Sequence, residues 1–187
     1  MAKDFLVTIP SNLPVPIDDG ACDHLEGLNI PNIDLPSTQG VLINPASITG
    51  LLVFFCYPMT GRPGRILPKG WIDIPGAAGC TPQTCSFRDR YSDLQRMDAT
   101  VLGLSTQSRE DQTEAVLRLR LPYTLVSDIN FRFSDSLNLP TFEIENLRLI
   151  KRLTLIIIDG VIKKCFYPIF PPDKNIEKVI TWISKNT

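Results

Sequence analysis

Several things are scarce in this chain of 187 residues, and each scarcity narrows the reading. Neither charge sign is in excess: 19 Lys and Arg face 20 Asp and Glu, for a net charge of −1. No basic patch is implied, so a nucleic-acid partner is not expected. No apolar run is long enough to span a bilayer, since LLVFFCY and LTLIII have only the length of strands, and no membrane partner is expected. The opening MAKDFLVTIP lacks the apolar stretch and small-residue cleavage site of a secretory signal. The expectation is a cytoplasmic protein. Its five cysteines, an odd number, then argue for reduced thiols rather than a disulfide framework. Histidine is represented by His24 alone, which reads as a surface or hydrogen-bonded residue.

Proline, by contrast, is abundant. Sixteen residues exceed the usual share of about 5% and predict long ordered loops. Residues 1–40 read as an irregular lead-in packed on a single domain that spans residues 1–187. Short extended pieces are expected near Phe5–Ile9 and Ile33–Leu35, with turns at Asp19-Gly20 and Gln39-Gly40. LLVFFCYP, residues 51–58, reads as a buried central strand. Residues 59–79 are so rich in Gly and Pro that they must be a loop. Loops of that length are usually functional or disordered.

A helix is expected from Thr81-Pro82, because proline suits the first helical turn. Phe87, Tyr91 and Leu94 would form its apolar stripe. ATVLGLS reads as a second buried strand. Ser108 opens another helix running to Arg118, with acidic residues in its first turn. YTLVSD is a short strand. RLTLIIIDGVIKKCFYPIF gives two strands about an Asp159-Gly160 turn. Pro171-Pro172-Asp173 opens a last helix, with Ile176, Val179, Ile180 and Ile183 on one face. Alternating strands and helices followed by a hairpin imply an α/β fold with a mixed central sheet flanked by helices.

The chemistry concentrates in PGAAGCTPQTCSFRD. A thiol is a nucleophile only as thiolate, and a helix N-terminus or a nearby cation favours that form. Cys80 lies at the expected helix start, where free backbone N–H groups and the positive dipole end would face its sulfur. Gly79, without a side chain, would let a small substrate approach. Cys85 sits five residues further on, and in a regular helix the two Cα atoms would be roughly 8–9 Å apart. A disulfide needs less than about 7 Å. Joining the two therefore requires the first turn to unwind, which suits a transient bond better than a staple. Zinc is the other use for such thiols. Cys80 and Cys85, with Cys22 and His24, lack the paired clips of a tetrahedral site, and no metal or cofactor is expected. Burial as inert core thiols is the third reading.

The stretches LLVFFCYP, GCTPQTCSFRD, VLGLSTQS, LVSD and RLTLIIIDGVIKKCFYP resemble a peroxiredoxin of the bacterioferritin-comigratory, or Q-type, branch. The resemblance covers roughly residues 21–182. It implies a thioredoxin-like fold and the reduction of hydrogen peroxide or organic hydroperoxides, with thioredoxin or a similar dithiol as reductant, in a monomer or homodimer. It matches Cys80 to the peroxidatic cysteine, Cys85 to the resolving cysteine and Arg152 to the family arginine. Arg148 and Lys151 are alternative cations should the strand register differ. Pro58, Thr60, Gly79 and Thr81 are the expected substrate-binding positions.

The sequence departs from the family pattern P-x-x-x-T/S-x-x-C. Counting back from Cys80, Ala77 takes the hydroxyl position and Asp73 the proline position. Thr60, at the exit of the first strand, is expected to return to the site in its place. Gln83 stands where glutamate is usual. Arg88 and Arg90 are expected to be solvated, Cys56 to be core, and Trp71 to cover the site. Cys22 and Cys165 carry no assigned role. Two further readings stay open. One is a dithiol–disulfide oxidoreductase or redox sensor with little peroxidase activity. The other is a non-catalytic interaction module on the same fold.

Overall fold

The computed structural model describes residue 9 and residues 12–187. The chain enters through a lead-in with a two-stranded ribbon, β1 (Leu35–Pro36) and β2 (Leu42–Ile43), around the expected Gln39-Gly40 turn. Next come β3 (Leu51–Cys56), α1 (Cys80–Asp89), α2 (Tyr91–Arg96), β4 (Ala99–Ser105), α3 (Arg109–Leu119) and β5 (Thr124–Ser127). The last third holds α4 (Arg132–Ser136), the hairpin β6 (Thr141–Ile144) and β7 (Leu147–Ile150), then β8 (Leu153–Ile158), β9 (Val161–Phe166) and α5 (Asn175–Asn186).

Five strands make the central sheet in the order β5-β4-β3-β8-β9. β3, β4 and β5 run parallel, while β8 is antiparallel to both β3 and β9. β3 lies in the middle, and all six of its residues are buried, which is why its sequence is a continuous apolar run. Its side chains alternate between two cores. Val53, Phe55 and Tyr57 meet Phe87, Leu94, Ala115, Val179 and Ile183 from the helices on one face. Leu52, Phe54 and Cys56 meet the other core, closed by Phe133 of α4 and by Leu25 and Ile30 of the lead-in.

The lead-in is irregular yet anchored. Gly27 N–H donates to Ile162 O at 2.8 Å, Ile162 N–H to Leu28 O at 2.9 Å, and Ile30 N–H to Gly160 O at 2.9 Å, so residues 27–30 run beside β9. Of the expected extended pieces, residues 5–8 lie outside the described residues. The turn at Asp19-Gly20 has Gly20 at a φ of +71°.

Three local readings change. The expected helix through residue 97 is broken at Arg90, whose φ of −110° and ψ of 13° end α1 before α2 begins. Phe87, Tyr91 and Leu94 still reach the same core across the break. The final helix is preceded by a short 3-10 turn, Pro172–Lys174, with α5 starting at Asn175. Between β5 and β8, α4 and the β6–β7 hairpin had no counterpart in the sequence reading. Asp128 explains α4: its carboxylate accepts from the Phe133 and Ser134 N–H groups at 3.1 and 2.8 Å and from Ser134 Oγ at 2.6 Å. The hairpin holds down the long loop of residues 59–79. Trp71 buries its ring against Phe142, with Ala77, Ile144 and Leu149 completing a small third core.

Candidate active site

Three separated pieces of chain converge at the start of α1. The first is the exit of β3. Tyr57 N–H donates to Leu104 O at 3.0 Å, carrying the sheet pairing one residue beyond the strand. The buried Pro58 then turns the chain, and its carbonyl accepts from Ser105 Oγ at 3.1 Å. This fixes Met59, whose N–H donates to Cys80 Sγ at 3.4 Å.

The second piece is α1 itself. Gly79 is its N-cap with a φ of +98°, in the left-handed region. A Cβ there would also lie 2.3 Å from Pro172 Cγ, so both backbone and packing demand glycine. Cys80 is the first residue of the ten-residue helix, among N–H groups without intrahelical partners and at the positive dipole end. It is only 3% exposed, and its thiol donates to Ala77 O at 3.5 Å. Thr81, also buried, accepts on its carbonyl from Thr84 Oγ1 at 3.0 Å.

The third piece is Arg152, the residue before β8. It too is 3% exposed. Its Nη1 donates to Gln83 Oε1. Its Nη2 reaches four acceptors: the carbonyls of Gly76, Ala77 and Ala78 at 3.2, 3.2 and 3.0 Å, and Cys80 Sγ at 3.2 Å. Among the described residues its Nε has no hydrogen-bond partner. Gln83 in turn donates from Nε2 to Asn175 Oδ1 at 3.4 Å, which also accepts from Thr154 Oγ1 at 2.7 Å. Burying a guanidinium is costly unless its charge is answered. Among the described residues no carboxylate pairs with Arg152. Carbonyl dipoles, one amide and the Cys80 sulfur surround it, and of these only the sulfur can become an anion.

Cys85 lies on the same helix but half-buried, packed at the edge of the helical core. Burial pushes its thiol pKa up, with Arg88 opposing the shift. With α1 intact, the two cysteines are a turn and a half apart and cannot bond.

Thr60 is buried beside this convergence. Its N–H and Oγ1 donate to Gln107 Oε1 at 2.9 and 3.1 Å, and Gln107 Nε2 returns a bond to Thr60 O at 3.2 Å. Two cavities flank the site. One of about 340 Å³ is lined by Pro16, Ile17, Ile74, Gly76, Arg152 and Tyr167. The other, of about 390 Å³, is lined by Met59, Thr60, Arg62, Gln107, Asp111 and Leu147.

Residues 74–165, which include Cys80, Cys85 and Arg152, match the AhpC/TSA family. Among its relatives is peroxiredoxin bcp1 of Schizosaccharomyces pombe, 35% identical over 128 residues, covering 64% of this chain and 58% of that protein. The chloroplastic peroxiredoxin Q of Gentiana triflora is 25% identical over 186 residues, covering 96% of this chain and 78% of that one. The chain thus spans less than two thirds of the length of the S. pombe relative. In fold it is similar to peroxidoxin BcpB of Mycobacterium tuberculosis, with a TM-score of 0.72 at 21% identity, over 88% of this chain and 99% of that one. It is likewise similar to Xanthomonas campestris peroxiredoxin Q, with a TM-score of 0.66 at 15% identity, over 94% and 99%. The thioredoxin-like fold read from the sequence is therefore the fold that the chain shares with these structures.

Other residues singled out in the sequence lie elsewhere in the fold. Arg148 pairs with Asp135 at 2.7 Å and covers the Phe131 ring at 4.3 Å. Lys151 pairs with Asp19 at 2.8 Å. Arg88 donates to Leu119 O at 2.8 Å, tying α1 to α3, and Arg90 pairs with Asp93. His24 Nε2 lies 2.9 Å from Leu137 O. Cys56 is fully buried, as its strand position required.

The sequence reading missed Gln107, the Met59 N–H and the three successive carbonyls of residues 76–78. The carbonyls and the N–H carry no side-chain signature. Gln107 lay in the quoted VLGLSTQS, but only the parallel pairing of β3 with β4 brings it to Thr60.

Proposed function

We propose that the protein is a thiol-dependent peroxidase in which Cys80 is the peroxidatic residue. The supporting observation is the buried Arg152 guanidinium, unpaired with any carboxylate among the described residues, donating to Cys80 Sγ at 3.2 Å. A fixed charge in a dry site favours the thiolate that attacks. The Met59 N–H and the α1 N-terminus add two further positive poles to the same sulfur.

In the proposed cycle the Cys80 thiolate attacks one peroxide oxygen and the O–O bond breaks. The departing oxygen takes up a proton and leaves as water or as an alcohol, and Cys80 becomes a sulfenic acid. Arg152 Nε, without a hydrogen-bond partner among the described residues, is the donor available to a peroxide oxygen. Thr60 Oγ1, whose proton is directed at Gln107 Oε1, keeps lone pairs to accept from a peroxide O–H. This gives Thr60 the role that Ala77 cannot fill. The first turn of α1 then unwinds, and Cys85 attacks the sulfenic sulfur, forming the disulfide and releasing water. Unwinding also frees Cys85 from the burial that disfavours its thiolate. A dithiol such as thioredoxin would restore both thiols by exchange. Pro58, Gly79 and Thr81 shape the pocket through backbone geometry. A reducing, cytoplasmic setting suits such a cycle.

The test is stopped-flow oxidation of the reduced protein by hydrogen peroxide, followed by mass mapping. The expected result is oxidation of Cys80 far faster than a free thiol, followed by a Cys80–Cys85 disulfide, with both lost in Cys80→Ser. Slow oxidation, or a disulfide elsewhere, would overturn the proposal. A Thr60→Ala protein with undiminished peroxidase activity would remove Thr60 from the mechanism.

A further inference from the structure

The other three cysteines collect on the opposite face of the sheet. Cys22 and Cys56 belong to the core beneath the lead-in, and Cys165 packs against it. Cys22 is 6% exposed and Cys165 is half-buried.

Cys165 reaches that face because β9 is irregular. Leu155 pairs with Cys165 and Ile156 with Lys164, but Ile157 pairs with Ile162, which leaves Lys163 as an extra residue. Side chains alternate along a regular strand, so Ile162 and Cys165, three apart, would point to opposite faces. The bulge turns both to the same side, and both touch the lead-in core.

The lead-in is fastened on either side of the spot where they meet. Glu26 Oε1 accepts from the Cys165 N–H at 3.2 Å and from Lys164 Nζ at 2.7 Å. Gly27 and Leu28 bond to Ile162, as described. The turn containing Cys22 is closed by Asp23 N–H to Gly20 O and Leu25 N–H to Cys22 O, both at 3.1 Å. Cys22 and Cys165 thereby share the core beneath the lead-in, near enough for Cys165 to act on the Cys22 thiol. The neighbouring Cys165 and burial push the Cys22 thiol pKa upward, and burial does the same for Cys56. Among the described residues no group of three or more His, Cys, Asp or Glu is arranged to hold a metal ion.

We propose that Cys22 and Cys165 form a second redox-active dithiol, separate from Cys80 and Cys85, whose oxidation by a small disulfide pins the lead-in to β9. The half-buried Cys165 is the thiol an oxidant meets. Its sulfur attacks a low-molecular-weight disulfide such as oxidised glutathione, breaking that S–S bond and releasing one glutathione thiol. Cys22 Sγ then attacks the Cys165 sulfur of the mixed disulfide, and the second glutathione leaves. Two protein thiols are oxidised, one disulfide is reduced to two thiols, and the protons pass to the departing thiolates. Burial and the raised Cys22 pKa make the exchange slow, so the pair responds to sustained oxidation.

The pin would sit close to the Cys80 site. Residues 15–17, a few positions before Cys22, line the cavity that Arg152 also lines. A lead-in held by a covalent bond closes a loop of more than 140 residues, the span from position 22 to position 165.

The experiment uses full-length Cys80→Ser/Cys85→Ser protein, so that exchange at the first site cannot contribute, and the wild-type chain beside it. Each is incubated with oxidised glutathione, its thiols are counted, and it is digested without reductant. The double variant should lose two of its three remaining thiols and yield one linked peptide pair joining Cys22 to Cys165. Cys56→Ser should leave that link intact, and the amides of residues 22–30 should exchange more slowly in the oxidised form. The same link is sought in the wild-type digest, so poor folding of the variant does not decide the outcome. Three titratable thiols after treatment, a glutathione left on Cys165, or a link through Cys56 would overturn the proposal.

Discussion

Five thiols divide between the two faces of one sheet, and their surroundings differ more than their chemistry does. On the helical face Cys80 meets a guanidinium, a backbone N–H and a helix N-terminus. On the lead-in face Cys22 and Cys165 meet aliphatic side chains and each other. In the proposed cycle Cys80 is the attacking sulfur, whereas burial and the neighbouring Cys165 hold Cys22 protonated. Cys80 at 3% and Cys22 at 6% are almost equally covered, so the two surroundings differ in the donors that reach Cys80 rather than in exposure.

The sharpest way to break this contrast is to remove the cation. Arg152→Met should lower the rate with hydrogen peroxide by roughly 10²–10³-fold, as expected for losing a fixed charge at a reacting atom. Exchange at Cys22 and Cys165 should be unaffected. An unchanged rate would mean that the cation is not what sets the Cys80 face apart.

A second test separates backbone from charge. Gly79→Ala forces a side chain into a φ of +98° and against Pro172 Cγ. It should cost about 1–3 kcal/mol of stability, read from chemical denaturation, and shift the start of α1. The equivalent change at Gly27, where an added Cβ would meet nothing within 4 Å, carries the backbone penalty alone.

These two regions were unequally visible in the sequence. The β3 run, the α3 cap at Ser108 and the Asp159-Gly160 hairpin follow from periodicity and turn chemistry. Ser108 does cap α3, accepting from Asp111 N–H at 3.1 Å. The GCTPQTC stretch likewise pointed to a helix start at Cys80. α4 and the β6–β7 hairpin were not visible, because five- and four-residue elements offer too few positions for a period to emerge. The carbonyl cradle around Arg152 was hidden because any residue can supply a carbonyl. The meeting of Cys22 with Cys165 was hidden for another reason: it depends on one extra residue in β9, which no local pattern announces.

The smallest expected effect concerns the clamp on the lead-in. Asp19 accepts from Lys151 Nζ and from the Tyr167 hydroxyl, at 2.8 Å each. The bond from Lys151 first, then that from Tyr167, lowers the Asp19 pKa from 3.8 to about 2. A lowered folded pKa stabilises the protein above the unfolded value, and the contribution fades as pH falls from about 4 toward 2. Both partners are partly exposed, so the contribution is at most about 1 kcal/mol. Hydrogen exchange of residues 20–30 should quicken over that pH window, and Asp19→Asn should make it fast throughout. If Asp19→Asn leaves the exchange unchanged, the backbone bonds to β9 hold the lead-in by themselves.

The missing carboxylate beside Arg152 also bears on the energetics of electron transfer. In the proposed cycle the guanidinium has an anion for a partner only while Cys80 is reduced. Any disulfide at Cys80 takes that anion away and leaves a buried cation to the carbonyl dipoles of residues 76–78. The reduced form is favoured, so the reduction potential of such a disulfide is raised above that of two unassisted thiols. The arginine that readies the sulfur for peroxide thus also makes the oxidised protein a readier acceptor for electrons from a dithiol donor.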